Sequence, residues 1–272
     1  MTIKSNTPDR LYHYTDQNGL IGILDSKSMR ATHLFYQNDA SEFKHGEEVF
    51  YRVIETVKAR NNATSNGDIV ADIKSRIATY NNPVFTTSFS ESEKSLNQYR
   101  GYSKSKPGFS IGFDIEKIKS HAESLNFQCK IAKCLYNDRE QEDFAEKMIA
   151  EHIPHDSEIS QDAINRIAAI ISTYSSVMKH ESFHEEKEWR LIYDCLNPVR
   201  KFYHIRAGES FLIPFLAVPI ITNEVIKSIT IGPTPHPDLA YISTKELLSK
   251  HGIFNGKLNE CIRKSNLPYR NW

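Results

Sequence analysis

His13, Thr86, Thr87, Ser88, Glu186 and Glu188 are the residues of this 272-residue chain whose types and settings best suit chemistry. They lie in three short segments: Leu11-Tyr12-His13-Tyr14-Thr15, Phe85-Thr86-Thr87-Ser88-Phe89-Ser90, and Glu186-Lys187-Glu188-Trp189-Arg190-Leu191-Ile192-Tyr193. Each sets a polar or ionisable side chain among aromatic and β-branched neighbours, the pattern of strands that present a group to a cleft. A neutral imidazole accepts from or donates to hydroxyls, and a held carboxylate stabilises positive charge developing on a reacting sugar. Each residue also has a plain structural account. A strand histidine is often a hydrogen-bonded core residue, and threonine is a good strand former whose hydroxyl bonds the backbone. Glu188, beside Trp189 at the start of an apolar strand, needs solvent or a partner, and Arg190 two residues on is one candidate.

A rival constellation is His180-Glu181-Ser182-Phe183-His184, which matches the His-Glu-x-x-His pattern of zinc hydrolases. An acidic run, Glu185-Glu186-Lys187-Glu188, follows at once and leads into a strand, so the helix ends where its second ligand begins. No metal site is expected. The four cysteines have no Cys-x-x-Cys spacing and read as reduced thiols, which points to the cytoplasm. Lys plus Arg equals Asp plus Glu at 34 each, so the whole-chain field does not steer the protein to nucleic acid or anionic membrane. A local basic groove is compatible with that balance. The longest apolar run, Phe211 to Ile221, is broken by Pro214 and Pro219 and is too short to span a bilayer. No signal-peptide pattern opens the chain.

Turning to the elements that must position these groups, no linker or composition shift divides the chain, so 1–272 reads as one domain with a loose start over 1–10. Short helices are expected after Asp16 and from Asn38-Asp39 through Val57, although Gly46 weakens the second; another covers Ile69 to Tyr80. Strands are expected at Val84 to Phe89, Gly108 to Asp114, Cys129 to Tyr136, Glu188 to Tyr193, Lys201 to Ile205, Phe211 to Ala217 and Val225 to Ile231. A helical block from about Gln141 to Met178, interrupted near Pro154, and a late helix at Thr244 to Lys250 complete the pattern. Without a regular βα alternation the expected class is α+β, and no Gly-x-Gly-x-x-Gly or phosphate-binding loop is present.

The Leu-Tyr-His-Tyr-Thr run, Asn38-Asp39 with Glu42-Phe43, the Thr-Thr-Ser-Phe-Ser strand, Tyr99 to Tyr102, Gly-Phe-Ser-Ile-Gly-Phe-Asp, Glu-Trp-Arg-Leu and Ile231-Gly232-Pro233 together resemble a bacterial family of unknown function. That family in turn resembles the ADP-ribosyltransferase superfamily, including DarT-type nucleic-acid-modifying toxins and RNA 2′-phosphotransferases. The resemblance implies a mixed, split β-sheet of ADP-ribosyltransferase type with inserted helices. It also implies an enzyme that uses NAD as co-substrate and transfers ADP-ribose to a macromolecular acceptor, nucleic acid or protein, as a toxin or antiphage effector. An antitoxin protein is a further partner it implies. His13, flanked by Tyr14 and Thr15, would grip a ribose hydroxyl, Thr86, Thr87 and Ser88 would brace the site, and Tyr99 or Tyr102 would stack on nicotinamide. Glu188 would be the catalytic carboxylate, and Glu186 with Arg190 would engage the acceptor. One departure is that a first-strand histidine and a hydroxyl-rich second strand often belong to different branches. The alternative class is a non-catalytic nucleotide- or RNA-binding module using Tyr99, Arg100, Tyr102, Lys104 and Lys106.

Overall fold

The computed structural model describes residues 7–36, 40–79, 83–103, 108–194, 202–254 and 257–267. In chain order the elements are β1 (Arg10–Thr15), α1 (Gln17–Ser26), β2 (Met29–His33), α2 (Ala40–Arg60), α3 (Ile69–Thr79), β3 (Val84–Ser90), α4 (Leu96–Ser103), β4 (Phe109–Asp114) and α5 (Ile115–Ser124). They continue with β5 (Gln128–Lys133), α6 (Asp138–Ile149), α7 (Gln161–Tyr174), β6 (Glu188–Asp194), β7 (Tyr203–Ala207), β8 (Leu212–Val218), β9 (Ile226–Ile231), α8 (Pro237–Lys250), α9 (Leu258–Cys261) and β10 (Ile262–Lys264). Short 3₁₀ turns cover Leu34–Tyr36, Ala150–His152, Ser175–Val177 and Glu181–Glu186. Helices and strands alternate irregularly around one ten-stranded mixed sheet, the α+β character expected.

Three wings of this sheet meet at β3. One runs β10-β9-β4-β1, a second β2-β8-β7, and the third is β6 with β5 outside it. Strand β6 pairs along all of β3, from Val84↔Asp194 to Ser90↔Glu188, and so occupies one edge. The other edge is shared. β1 touches it at Tyr12↔Ser90, and β2 at Thr32↔Thr86 and His33↔Phe85. The sheet therefore splits alongside Thr87, Ser88 and Phe89. Buried backbone groups need partners there, and side chains supply two of them. His13 Nδ1 bonds the Ser88 carbonyl at 2.9 Å, and the Thr87 hydroxyl donates to the Arg30 carbonyl at 3.3 Å.

Strand alternation gives the sheet two apolar faces. One, with Leu11, Phe85, Phe89, Ile111, Trp189 and Leu191, is covered by α1, α5 and α8. The other carries Val84 and Ile192 and packs on α2, α3, α6 and α7, where Phe50, Ile54, Ile73, Ile149 and Ile167 recur at helical spacing. The helical block read from the sequence is two helices. Ile149 leads into a 3₁₀ turn, and Ser160 starts α7 by accepting from the Ala163 N–H. Helix α8 begins at Pro237, seven residues before the expected start, because proline is tolerated at the first helical position. Helix α5 was not anticipated, although Asp114 caps it and Ile115, Ile118 and Ala122 line its buried side. No helix among the described residues is long and apolar enough to cross a membrane.

Gly46 does not interrupt α2. It lets the helix lie against the 3₁₀ turn at Ser175–Val177, since a Cβ at that position would overlap the Ser175 backbone. Gly46→Ala is therefore expected to destabilise the protein by about 2 kcal/mol through overpacking, despite the higher helix propensity of alanine. Thermal unfolding checks this: a melting temperature equal to or above that of the parent would contradict the close approach.

Candidate active site at the split in the sheet

The gap beside β3 opens into a narrow crevice. His13, Tyr12 and Tyr14 line it from β1, Ser88, Phe89 and Ser90 from β3, Gln98 and Tyr102 from α4, and Glu188 from β6. Register places Tyr12, Ser90 and Glu188 side by side on one face of the sheet, whereas His13 pairs with Ile111 and lies edge-on to Phe89 on the other. Alternation sends His13 and Glu188 to opposite faces, and the split is what lets both line one crevice. Its free volume is about 10 Å³, room for roughly one water. The pocket able to enclose a dinucleotide that the sequence reading requires is not present in this form. Tyr102, 42% exposed, lies on its outer side.

The bond from His13 to a carbonyl settles the chemistry of its ring. Nδ1 must carry the proton, which leaves Nε2 as an acceptor with no partner among the described residues. Burial lowers the His13 pKa, only partly opposed by the Ser88 bond, so the ring is neutral near neutral pH.

Glu188 is 4% exposed and belongs to a cluster of five charges. Its Oε1 accepts from Arg190 Nε at 2.8 Å, and its Oε2 from Lys179 Nζ at 2.8 Å and Arg190 Nη2 at 3.2 Å. Lys179 also reaches Glu42 Oε1 at 3.0 Å and makes a short contact with Glu186. Arg190 donates to Glu42 Oε2 at 2.7 Å and to the Ser176 carbonyl at 2.5 Å. Three carboxylates thus surround two cations. Burial alone would raise the Glu188 pKa, but Arg190 and then Lys179 hold it down to about 2. Burial also works against the charge on Lys179, and Glu188 and Glu42 outweigh it to raise its pKa. The surplus negative charge falls on Glu186 at the rim, whose pKa burial raises despite its Lys179 contact.

Several expected site residues stand elsewhere. Tyr99 is 3% exposed and packs edge-on against Tyr14, so Tyr102 is the α4 aromatic of the crevice. Tyr14 directs its hydroxyl to the Ser92 carbonyl. Thr15 pairs with Phe109, and Thr86 and Thr87 are buried in the strand ladder, so of the hydroxyl run only Ser88 reaches the crevice, joined by Ser90. Arg190 is consumed by Glu188, Glu42 and Ser176 and is not presented to an acceptor. Asn38, Asp39, Lys104 and Lys106 lie outside the described residues. His180 caps, in an extended conformation, the 3₁₀ turn that holds His184, so the two do not stack a turn apart as on an α-helix, and each Nδ1 bonds locally, to Ser182 and to the Glu181 carbonyl. Sequence reasoning missed Lys179 and gave no site role to Glu42, although Glu42-Phe43 is one of the segments that carry the resemblance. A lone lysine after a helix and a glutamate far upstream form no local pattern. Only the demand that a buried Glu188 and Arg190 be compensated pointed towards them.

Residues 98–191 match the model of a family described as a protein of unknown function (DUF2971), a match that covers less than half of the chain. It spans Tyr102, Lys179, Glu186, Glu188 and Arg190 but not His13 or Ser88. No curated protein and no solved structure matches the chain.

Removing one cation from the cluster should be costly in a pH-dependent way. Lys179→Met leaves three carboxylates around Arg190, and the expected loss is about 3–5 kcal/mol near pH 8. Carboxylates crowded without Lys179 have folded pKa values above their unfolded ones. The stability they contribute is present at low pH and lost as pH rises through the folded value. The variant's deficit should therefore shrink towards about pH 5. Urea unfolding at both pH values checks the sign, and a deficit that is constant or grows on acidification contradicts the cluster.

Proposed function

We propose that the chain is an ADP-ribosyltransferase that takes NAD as co-substrate and uses the crevice at the sheet split. What supports this most is the pairing, in one crevice, of a histidine fixed as an acceptor with a carboxylate held ionised near neutral pH. Both groups accept and neither donates, which suits ribose hydroxyls. Two acceptors suit the ribose hydroxyls of NAD, whereas the free volume of about 10 Å³ does not enclose the rest of the dinucleotide. The distant similarity of the family that the sequence resembles to the ADP-ribosyltransferase superfamily supports the same reading.

In this mechanism His13 Nε2 accepts from one ribose hydroxyl and the remaining lone pair of Glu188 Oε1 from another. The bond between ribose C1′ and the nicotinamide nitrogen breaks, and its electron pair leaves with nicotinamide. Positive charge grows on the ribose ring, where the ionised Glu188 stabilises it. A nucleophile on the acceptor then bonds C1′, and Glu186, whose pKa is raised, takes its proton. Lys179 and Arg190 act through Glu188 by keeping it charged and oriented. A role as a cytoplasmic toxin or antiphage effector, countered by an antitoxin, rests on the resemblance alone.

One observation favours a second reading. Both Glu188 oxygens already accept from cations, as a purely structural ion cluster requires. In that case the crevice binds a nucleotide or RNA without turnover.

Nicotinamide release from NAD, measured with and without cell extract as acceptor, separates the two. Glu188→Gln is expected to lower release by on the order of 10²-fold or more with NAD binding little changed, and His13→Ala to weaken both. Circular dichroism melts accompany both variants, since Glu188 also has structural partners. A folded Glu188→Gln protein with undiminished release removes Glu188 from the mechanism, and a parent protein that never consumes NAD leaves the binding reading.

A further inference from the structure

The β2-β8-β7 wing carries a chemistry that the crevice does not use. None of its three strands contains Asp or Glu. On one face, Phe215 of β8 lies between Thr32 of β2 and His204 of β7. Arg30 pairs with Ala217 and Arg206 with Ile213, so the two arginines flank Phe215 diagonally, from strands on either side of it. Their four-residue offset along β8 is roughly 13 Å. The Arg30 guanidinium lies 5.3 Å from the Phe215 centroid, and His204 stacks on the same ring at 5.5 Å and 28°. Arg30 and His204 are exposed, and Arg206 is half-buried.

Among the described residues neither arginine side chain has a carboxylate or hydrogen-bond partner. Burial and then the Arg30 charge lower the Arg206 pKa, so the two like charges disfavour each other until an anion joins them. In a chain with zero net charge this is a local excess. Register through Thr32↔Thr86↔Ile192 puts it on the face that bears Ser88, Ser90 and Glu188.

We infer that this face binds single-stranded nucleic acid, with Arg30 and Arg206 on backbone phosphates and His204 among the bases. The offset along β8 is too long for one isolated phosphate or for adjacent ones, and suits phosphates about two nucleotides apart on one strand. The interleaving of guanidinium with ring surfaces suits bases, and an acidic peptide would use the arginines alone. Such a strand would run towards the crevice. Its role as the ADP-ribose acceptor rests on the transferase reading, but its binding does not.

The test is fluorescence anisotropy of a labelled single-stranded oligonucleotide of about 20 nucleotides, as DNA and as RNA, with the full chain and no NAD, at about 50 and 200 mM salt. The double variant Arg30→Ala/Arg206→Ala is expected to bind at least 10-fold more weakly and to reduce the salt slope by about 1–2. His204→Ala should weaken binding several-fold at an unchanged slope. Circular dichroism confirms that the variants fold. The absence of saturable binding at the lower salt, equal binding by the double variant, or displacement by polyglutamate as effective as by unlabelled oligonucleotide would each overturn the inference. NAD cleavage by the double variant without acceptor is expected to match the parent. A protein that binds the oligonucleotide but never cleaves NAD defeats only the transferase reading, and one that cleaves NAD but does not bind defeats only this one.

Discussion

The arrangement depends on a carboxylate, Glu188, that is taken out of water and must stay charged. Removing an ion from water costs several kcal/mol even after the protein relaxes, so Glu188 tolerates burial only because Lys179 and Arg190 converge on it. Those cations in turn need Glu42, which ties α2 to β6, and Glu186, which ties the segment before β6 to the same knot. A buried ion cluster of this kind is weak evidence for stability, because an apolar replacement of equal shape can do as well. It is stronger evidence of position: α2, through Glu42, is fixed to the stretch 176–190 around the floor of the split.

The split follows from how one edge of β3 is used. Two strands share that edge, and neither covers its middle. A side chain then satisfies a backbone group that a ladder would normally have satisfied, and His13 pays for that bond with its tautomeric freedom. A structural requirement thereby sets a chemical property, since the ring keeps an acceptor and loses a donor. The crevice carries two acceptors at a place where groups from opposite faces approach each other. Its narrowness in this form makes hydroxyl groups, and not a whole dinucleotide, the natural visitors to its floor.

Much of the fold was legible because its signals are local. Alternation in Phe109-Ser110-Ile111-Gly112-Phe113 gave β4, and apolar spacing in Ile69–Thr79 gave α3. Strand context led to the expectation that His13, Thr86 to Ser88 and Glu188 would meet at a pocket able to hold a dinucleotide; His13, Ser88 and Glu188 line one crevice from opposite faces of the sheet, and the crevice has only about 10 Å³ of free volume. Helix α5 was missed because its cap, Asp114, also closes the strand before it. Thr86 and Thr87 look like Ser88 in sequence. Only pairing shows that β2 and β6 bury Thr86 in the ladder while Ser88 faces the gap. Tyr99 and Tyr102 lie three residues apart on one short helix, and packing against Tyr14 decides which of them is core. Lys179 was invisible because its significance arises from partners up to 137 residues away.

The most direct test of the central claim is a ¹³C NMR titration of the Glu188 side-chain carboxyl in the folded protein, assigned by the signal lost in Glu188→Gln. A carboxylate shift that persists well below the ordinary glutamate range, with a midpoint near 2, is expected. Because that folded pKa lies below the unfolded one, the stabilisation it reports is fully present above the ordinary value and is lost as pH falls from there through the folded value. A carboxyl that gains its proton at or above the ordinary glutamate value would contradict the account, since Glu188 would then not be the ionised acceptor around which the site is built.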